Sequence, residues 1–570
     1  MNYPQIFNIP EICAQLGVTH AIISPGSRNA PLTIAFARNE AIACKVIPDE
    51  RSAAFIALGM AQQTNKPVVL ICTSGSAALN YSPAVAEAYF QQIPLLIFTA
   101  DRPPEWIDQL DGQTIRQENI YGKHVKGSYN MPVDSINDDA SWHGQRMISE
   151  AVNLSYEFPC GPVHVNFPFR EPLYPNTEAE VKAEVKVIAQ TSPIPLFDAH
   201  TKDELAIQWR SYSRKLIIYG QAAPSKRELD LLGQLTKEQK IPIVGDIISN
   251  IQSATDVILH SDVFLGSAKK GLHESLQPDL LVTFGKSMLS KNLKLMLRKY
   301  KPKAHWHIQQ AGQVADTYQS LTKVIRTSPQ NFLEEIAQIE NDYNFDDQKQ
   351  ENYFHIWQIE ERKVKRLLSN FFPQEPLGEF ELVKEVLDNL PGNCNLHLAN
   401  SMSVRYANFI GLEDNKQINV YANRGTSGID GCNSTTVGAS LANDKLNVLI
   451  TGDLAFLYDR NAFWHNYPIP NLRIVVLNNH AGGIFRIIKG PDALPELETY
   501  FETEQKLTAS NVADEFNMDY FLCNKRSKLK NFMKQFFELD GKPKILELES
   551  DSKENKRILE DFKAAFNELK

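Results

Sequence analysis

Short apolar runs alternate with segments of helical periodicity along almost the whole chain. Apolar runs of about five to seven residues that end at polar residues or glycine are typical of strands buried on both faces of a sheet. The runs fall into three groups, and helix-length segments separate the members of each group. This alternation predicts an α/β fold made of three doubly wound, parallel sheets.

Each group of apolar runs predicts the strands of one sheet. The first group comprises HAIIS (20–24), CKVIP (44–48), PVVLICT (67–73), PLLIFTA (94–100) and PVHVNFP (162–168). The second comprises KLIIYG (215–220), IPIVGD (241–246), DLLVTFG (279–285) and AHWHIQ (304–309). The third comprises NLHLANS (395–401), QINVYANRG (417–425), LNVLITGD (446–453), LRIVVLNN (472–479) and KILELE (544–549). We therefore expect domains at 1–175, 195–340 and 353–570, with the polar segment 340–352 as a linker before the third.

Length and composition agree with several globular domains. At 570 residues, with 43% apolar and 22% charged residues, the chain is too long for one hydrophobic core and too apolar for broad disorder. The net charge of −9 is spread without a basic stripe, so we expect no nucleic-acid partner. The first residues lack a signal-peptide pattern, and no apolar run approaches the ~20 residues of a membrane span. The seven cysteines show no paired or metal-ligand spacing, which predicts reduced thiols in a cytoplasmic protein.

Polar residues follow two consecutive strands of the third group. Asp453 ends one apolar run and Asn479 ends the next, about one helix and one strand later. Adjacent parallel strands would bring the two side chains together at one edge of the sheet, where ligands bind in such folds. A carboxylate and an amide oxygen suit Mg²⁺, which completes its shell with water and phosphate oxygens. The alternative is that Asp453 caps the next helix and Asn479 forms a turn.

The same residues resemble the cofactor motif of thiamine diphosphate enzymes, in which GD is followed by NN. The usual motif has glycine after the aspartate, where this chain has Leu454. These enzymes also need a glutamate that hydrogen-bonds N1′ of the aminopyrimidine, and Glu50, between a strand and an apolar helix, matches its place. Such a glutamate should be buried, with a raised pKa. The alternative is that Asp49 and Glu50 only stabilise the helix N-terminus, a role that suits Asp49.

Longer stretches narrow the resemblance to one branch of these enzymes. They resemble the menaquinone-pathway family of 2-succinyl-5-enolpyruvyl-6-hydroxy-3-cyclohexene-1-carboxylate synthases from about residue 5 to about residue 550, weakly in the middle. The stretches are ISPGSRNAPL (23–32), DERSAAFIALGMA (49–61), TSGSAALNYSPAVAEA (73–88), TADRPPE (99–105), GQTIRQ (112–117), YANRGTSGIDGCNST (421–435), GDLAFLYDRNAF (452–463) and NNHAGGIF (478–485).

The resemblance implies a fold, a reaction and an assembly. The domains would be pyrimidine-binding, middle and diphosphate-binding, and the cofactors thiamine diphosphate and Mg²⁺ or Mn²⁺. The family's transferase reaction decarboxylates 2-oxoglutarate and adds the succinyl carbanion equivalent to isochorismate in a Stetter-like conjugate addition. In the superfamily, the glutamate domain of one chain faces the metal domain of another. A homodimer or a dimer of dimers, with active sites at the subunit interface, is therefore implied.

The resemblance also implies the site residues. Both substrates are dicarboxylic acids, which guanidinium groups bind well. Glu50 would be catalytic, Asp453 and Asn479 with the Ala481 carbonyl would hold the metal, and Ile429 would bend the cofactor. The implied substrate-binding residues are Ser27, Arg28, Arg102, Gln113, Lys291, Ser401, Arg405, Arg424, Ile484 and Phe485. At Lys291 the chain departs from the family, because Asn292 stands where an arginine can follow.

Other functions are weaker interpretations of the same residues. Another thiamine diphosphate-dependent 2-oxo acid decarboxylase or carboligase would act on smaller acids and need fewer arginines. A non-catalytic relative would most naturally have lost Glu50, Asp453 or Asn479, and all three are present. A flavin or nicotinamide enzyme is disfavoured because no G-x-G-x-x-G opens a βα unit.

Overall fold

The computed structural model describes residues 6–133, 137–174, 185–267, 269–339, 347–413 and 416–569, and these form three sheets. The first sheet contains β1 (His20–Ile23), β2 (Ala43–Val46), β3 (Val68–Cys72), β4 (Leu95–Asp101), β5 (Ser128–Asn130) and β6 (Pro162–Pro168). The second contains β7 (Lys215–Tyr219), β8 (Ile243–Gly245), β9 (Leu280–Phe284), β10 (Ala304–Ile308) and β11 (Lys323–Ile325). The third contains β12 (Asn395–Leu398), β13 (Asn419–Tyr421), β14 (Asn447–Gly452), β15 (Leu472–Asn478), β16 (Asp519–Cys523) and β17 (Lys544–Glu549).

Helices connect these strands in the alternation that the sequence predicts. Around the first sheet they are α1 (Asn8–Gln15), α2 (Ala30–Ala37), α3 (Glu50–Thr64), α4 (Ser76–Asn80), α5 (Ser82–Gln91) and α6 (Asp138–Tyr156). Around the second they are α7 (Ala199–Arg210), α8 (Lys226–Glu238), α9 (Ser261–Phe264), α10 (Leu272–Ser275), α11 (Lys291–Lys299) and α12 (Pro329–Ala337). The rest are α13 (Asp347–Phe371), α14 (Glu379–Asp388), α15 (Met402–Ile410), α16 (Cys432–Ala442), α17 (Asp453–Tyr458), α18 (Ile484–Ile487), α19 (Ser510–Glu515), α20 (Arg526–Phe537) and α21 (Ser552–Glu568).

The strand orders confirm the predicted fold class. Each strand pairing among the described residues is parallel. The first sheet has the order β2-β1-β3-β4-β6-β5, and the third, β13-β12-β14-β15-β17-β16, repeats it strand for strand. The second has the shorter order β11-β10-β9-β7-β8. In each sheet the order reverses beside the first strand, and this reversal opens a crevice at the carboxyl ends.

The sequence missed one strand in each sheet, and in each case that strand lies at an edge. These strands are β5, β11 and β16, whose residues are mostly half-buried. Central strands such as β3, β4 and β15 are buried throughout and therefore form continuous apolar runs. The opposite edge strands, β2, β8 and β13, were predicted, so an edge position weakens the apolar pattern of a strand without always removing it.

The linker expected at 340–352 is wrong in its second part. Residues 340–346 lie outside the described residues, but 347–352 form the first turns of the long helix α13. Of the charged side chains described there, Lys349 is exposed and Glu351 is half-buried on the helix. The domain boundaries themselves stay predictions.

Helices α3 and α16 bring the first and third domains into direct backbone contact. A Cβ atom on Gly59 of α3 would lie 2.0 Å from the carbonyl oxygen of Thr435 in α16. A Cβ atom on Gly438 of α16 would lie 2.0 Å from the carbonyl oxygen of Ile56. Only glycine permits this approach, so the two helices fix the two sheets relative to each other.

Two expectations about the chain's environment can be compared with the described residues. All seven cysteines are unpaired, as their spacing predicts. Within the described ranges, every helix is too short or too polar to cross a lipid bilayer.

Candidate active site

A cavity of about 390 Å³ opens at the carboxyl edge of the third sheet. Asn400 and Ser401 follow β12, and Asp453 follows β14, which are the strands on either side of the order reversal. The volume falls within the range of small-molecule sites. All predicted site residues from the third domain line this cavity: Ser401, Arg405, Arg424, Ile429, Asp453, Asn479, Ala481, Ile484 and Phe485.

Asp453 is a buried carboxylate without a counter-charge. Its side chain is 4% exposed, and none of the described cationic residues forms an ion pair with it. The Leu454 amide donates to Oδ1 at 2.8 Å, and Nε2 of Gln505 donates to Oδ2 at 2.8 Å. Burial raises the pKa of Asp453 above its ordinary value, and these hydrogen bonds oppose the rise. A divalent cation in the cavity would supply the missing positive charge.

Asn479 lies beside Asp453 because β14 and β15 pair in parallel, with Gly452 opposite Leu477. Its Oδ1 accepts a hydrogen bond from the Ala481 amide at 3.0 Å. This contact is the turn that the alternative interpretation expects, and a carbonyl-type oxygen can accept a second partner. Asp453 likewise is the first residue of α17. Each of the two residues therefore has a local structural role, in a turn or at a helix start, and also lines the cavity.

The donor set fits magnesium better than a transition metal. Among the described residues, no cluster of three or more His, Cys, Asp or Glu could hold a metal ion alone. The predicted metal ligands in the cavity are instead a carboxylate (Asp453), an amide oxygen (Asn479) and the nearby carbonyl of Ala481. Few hard oxygen ligands, completed by water and phosphate, are the pattern of Mg²⁺.

The sequence did not single out Glu379, which also lines this cavity. Glu379 is 2% exposed, and its Oε1 accepts a hydrogen bond from Nδ2 of Asn479 at 2.7 Å. Burial raises the pKa of Glu379 to about 7; the charge of Asp453 also raises it, and the Asn479 hydrogen bond lowers it. In the sequence, Glu379 only looks like an acid in the first turn of α14, so no local signal could have identified it.

Two arginines give the cavity its positive charge. Nη1 of Arg424 donates to Oδ1 of Asn400 at 2.7 Å, and Arg405 lies on α15 and donates to the carbonyl oxygen of Ser401. Burial lowers the pKa of both arginines, which remain cationic. Ser401 itself has φ of +77°, a left-handed conformation that non-glycine residues adopt at a cost and that often marks functional sites. Asn400 was missed, although the rule about polar residues at strand ends would have found it.

The remaining wall of the cavity is apolar. Ile429, Ile484 and Phe485 line it, and the ring of Phe485 packs 5.7 Å from that of Phe501. An apolar wall excludes water and strengthens electrostatic interactions inside the cavity.

The predicted residues of the first domain lie at the carboxyl edge of the first sheet and do not line this cavity. Glu50 begins α3 and is half-buried in the single chain, whereas we expected it to be buried. Asp49 caps the helix, as its alternative role predicts, and accepts from the amides of Arg51 at 2.9 Å and Ser52 at 3.3 Å. Ser27 and Gln113 are exposed.

The two arginines of this half are engaged within the chain. Arg28 is buried and donates to the carbonyl oxygen of Phe169 at 3.1 Å and to Oε1 of Glu171 at 3.3 Å. Nη2 of Arg102 donates to the carbonyl oxygen of Gly112 at 2.9 Å. Arg102 also forms an ion pair with Asp111 at 3.4 Å. These contacts orient both arginines, and each paired carboxylate remains partly exposed, Glu171 to 73% and Asp111 to 38%.

The N-terminus of α3 lies at the far end of α17 from the metal-ligand candidates. Asp453 begins α17 at the cavity, whereas Arg51 donates to the carbonyl oxygen of Tyr458, the last residue of α17, at 2.9 Å. A six-residue helix is about 9 Å long. In one chain, therefore, Glu50 and Asp453 open at different places.

Lys291 does not line the cavity, and its role in substrate binding stays a prediction. It is the exposed first residue of α11, and the side-chain amide of Asn292 donates to the carbonyl oxygen of Asp262 at 2.9 Å. The same helix instead directs Lys294 to a second cavity of about 450 Å³ in the middle domain, which Arg424 also lines.

Comparisons with known proteins agree with this geometry. The family model described as "Thiamine pyrophosphate enzyme, N-terminal TPP binding domain" matches residues 8–120, and "Middle domain of thiamine pyrophosphate" matches residues 190–398. Curated 2-succinyl-5-enolpyruvyl-6-hydroxy-3-cyclohexene-1-carboxylate synthases are similar over nearly their whole length. The protein from Cytophaga hutchinsonii is 45% identical over 98% of both chains. Those from Flavobacterium johnsoniae and Christiangramia forsetii are 40% and 37% identical, covering 100% of this chain and 100% and 99% of theirs. The chain belongs to the family of 2-succinyl-5-enolpyruvyl-6-hydroxy-3-cyclohexene-1-carboxylate synthases, which are thiamine diphosphate-dependent enzymes.

Proposed function

We propose that this chain is the transferase of menaquinone biosynthesis that decarboxylates 2-oxoglutarate and adds the succinyl unit to isochorismate. The observation that carries the proposal is the cavity of the third domain. There Arg405 and Arg424 face the same space as the buried, uncompensated Asp453 and its neighbour Asn479. Cations for dicarboxylic acids therefore meet oxygen ligands for a metal at one site.

The cavity residues fit the cofactor that the family uses. Asp453, Asn479 and the Ala481 carbonyl would hold Mg²⁺ or Mn²⁺ on the diphosphate, and Ile429 would support the rings. Thiamine diphosphate, when bound, supplies the nucleophilic carbon and the electron sink that a 2-oxo acid needs to lose CO₂. Glu50 would hold or give up a proton at N1′ of the aminopyrimidine.

The chain's other residues bind, orient and exclude water. Guanidinium groups bind carboxylates in a planar, bidentate geometry, so Arg405 and Arg424 would orient the acids and fix which end reacts. Ile484 and Phe485 would keep water from the reacting carbon. In such an environment a carboxylate is less stable than neutral CO₂, which favours decarboxylation.

The proposed active site needs two chains. Glu50 does not line the cavity that contains Asp453 in its own chain, and in the superfamily the glutamate domain of one chain faces the metal domain of another, so its partners would come from a second copy. We expect a homodimer or a dimer of dimers, with domains at 1–175, 195–340 and 353–570, in the cytoplasm. Ser27, Arg28, Arg102 and Gln113 would then complete the partner's cavity.

Mixing two inactive variants tests the shared site. Chains with Glu50→Gln and chains with Asp453→Asn are unfolded and refolded together. Random pairing gives heterodimers in about half of the molecules, each with one intact site, so about a quarter of the wild-type sites should return. If each site lies within one chain, mixing restores nothing.

One assay tests the reaction. Purified protein with thiamine diphosphate, Mg²⁺ and 2-oxoglutarate is followed for CO₂ release and for adduct formation, with and without isochorismate. The proposal expects CO₂ and adduct in equal amounts when isochorismate is present. CO₂ release alone would favour another 2-oxo acid decarboxylase or carboligase, and no release under either condition would favour a non-catalytic relative.

A further inference from the structure

The segment 422–426, which carries Arg424, lies where the three domains meet. It follows β13 of the third domain and is held on one side by Asn400, which accepts from Arg424 at 2.7 Å. From the middle domain, Nε2 of Gln221 donates to the carbonyl oxygen of Ala422 at 3.0 Å. Arg424 lines the candidate active site and also the second cavity. The conformation of this segment therefore decides where the guanidinium points.

The first domain binds the same segment through Glu87 of α5. The Gly425 amide donates to Oε1 of Glu87 at 2.8 Å, and the amide and hydroxyl of Thr426 both donate to Oε2 at 2.6 Å. Nε2 of Gln91 adds a fourth hydrogen bond to Oε1 at 2.6 Å. Glu87 is 1% exposed and, among the described residues, has no cation within ion-pair distance. Its charge is therefore stabilised mainly by the segment itself.

Close backbone packing makes this contact specific. A Cβ atom on Gly425 would lie 2.6 Å from the carbonyl oxygen of Glu87, so the segment rests directly on α5. Any larger residue would push the segment, and Arg424 with it, away from the helix.

The charge of Glu87 also matters to the neighbouring arginines. Burial lowers the pKa of Arg424, and the charge of Arg405 lowers it further because two cations face one cavity. The charge of Glu87 acts in the opposite direction. A buried anion behind the segment thus offsets part of the repulsion between the two arginines.

We propose that Glu87 is a positioning residue that holds the segment 422–426 so that Arg424 points into the active site. This inference rests on the proposed function, in which Arg424 binds a substrate carboxylate. Glu87 would act only through Arg424 and would not touch substrate or cofactor.

Steady-state kinetics of Glu87→Gln, with each substrate varied in turn, tests the proposal. The amide nitrogen of glutamine would face an N–H donor, which removes at least one hydrogen bond to the segment. We expect KM for the substrate that Arg424 binds to rise about tenfold or more, with a much smaller change in kcat. Thr426→Val, which removes only the hydroxyl donor, should raise the same KM less, and Thr426→Ser should restore it.

Two further variants separate positioning from general damage. Glu361→Gln alters another buried carboxylate between domains, which pairs with His260 at 2.7 Å, and should leave both KM values unchanged. In an Arg424→Ala background, Glu87→Gln should change KM by less than about twofold, because its effect passes through Arg424. Unchanged KM values in Glu87→Gln, or an undiminished effect without Arg424, would overturn the inference while leaving the proposed function intact.

Hydrogen exchange keeps the test independent of activity. In the wild-type chain the amides of 425 and 426 should exchange slowly, and in Glu87→Gln they should exchange faster while those of 432–442 remain unchanged. If the wild-type enzyme shows no reaction, the proposed function fails. Unchanged exchange in Glu87→Gln would then still refute the role of Glu87.

Discussion

Replacing Asp453 with asparagine should remove binding of the metal and cofactor without unfolding the protein. Asp453 would be the only anionic ligand, because Asn479 and the Ala481 carbonyl are neutral. Asparagine has nearly the same shape and can still accept from Leu454 or Gln505, which both lie at 2.8 Å from the carboxylate. The variant therefore changes chiefly the charge at the centre of the cavity.

The expected magnitudes follow from linkage. At a ligand concentration about 100 times Kd, binding stabilises the wild-type protein by about 2.7 kcal/mol. Mutation of a residue that only hydrogen-bonds a metal ligand lowers the affinity for the metal by about 10–100-fold. Loss of the charged ligand itself should therefore lower that affinity by at least about 100-fold. The same concentration would then stabilise the variant by only about 0.4 kcal/mol. Without ligand, two effects of the substitution oppose each other. The variant loses a hydrogen bond worth about 1 kcal/mol, but it no longer buries an unpaired charge. The midpoint of thermal unfolding should therefore change little.

Thermal unfolding with and without thiamine diphosphate and Mg²⁺ measures both quantities. For domains of this size the wild-type gain corresponds to about 5–10 °C, and the variant's to about 1 °C. The matched control is Asp459→Asn. Asp459 is fully buried and accepts from the amide and hydroxyl of Ser434, both at 2.7 Å, but it does not line the cavity. A full ligand-induced shift in Asp453→Asn would refute the assignment of the metal site, and a lost shift in Asp459→Asn would show that the assay reports general damage.

Three other expectations concern the same framework. Glu50→Gln should keep the fold and lower kcat about 10²–10⁴-fold, because a positioned acid–base group is removed. CO₂ release measures kcat, and near-wild-type turnover would exclude Glu50 as the acid–base group. Gly59→Ala should lower the free energy of unfolding by about 1–3 kcal/mol, because its Cβ would lie 2.0 Å from the Thr435 carbonyl. Gly233→Ala in α8, with its nearest atom at 3.5 Å, is the control and should not destabilise in the same denaturant titration. Burial raises the pKa of Asp459 from 3.8 to about 7. The folded state therefore binds the proton of this carboxyl group more tightly than the unfolded state does. The free energy of unfolding should then fall as the pH rises across this interval. Asp459→Asn should flatten that fall in thermal midpoints, and an unchanged pH profile would contradict it.

The buried strands could be predicted from the sequence because a strand that is covered on both faces consists of consecutive apolar residues. β3, β4 and β15 are buried along their full length. The edge strands β5 and β16 are not, and their pairing depends on the neighbouring strand rather than on their own composition. Local patterns therefore specify the central strands, whereas one edge strand of each sheet depends on tertiary contacts.

The same limit applies to the site. Residues at the ends of neighbouring strands, such as Asp453 and Asn479, could be brought together from sequence because parallel pairing fixes where strand ends meet. Glu379 and Glu87 could not, since each reaches its partner across a domain or helix boundary. The sequence of the helix that contains each glutamate does not indicate its hydrogen-bond partner.

The repeated topology supports the proposal that the active site is divided between two chains. The first and third sheets share one strand order, so each offers a crevice at its own carboxyl edge, with Glu50 at one and Asp453 at the other. The contact between α3 and α16 is backbone against backbone, and it holds the two sheets together within one chain. Because Glu50 does not line the cavity that contains Asp453, we propose that the two halves of the site come from different chains. Association with a second copy, in which each crevice meets its counterpart, would give both halves a common ligand.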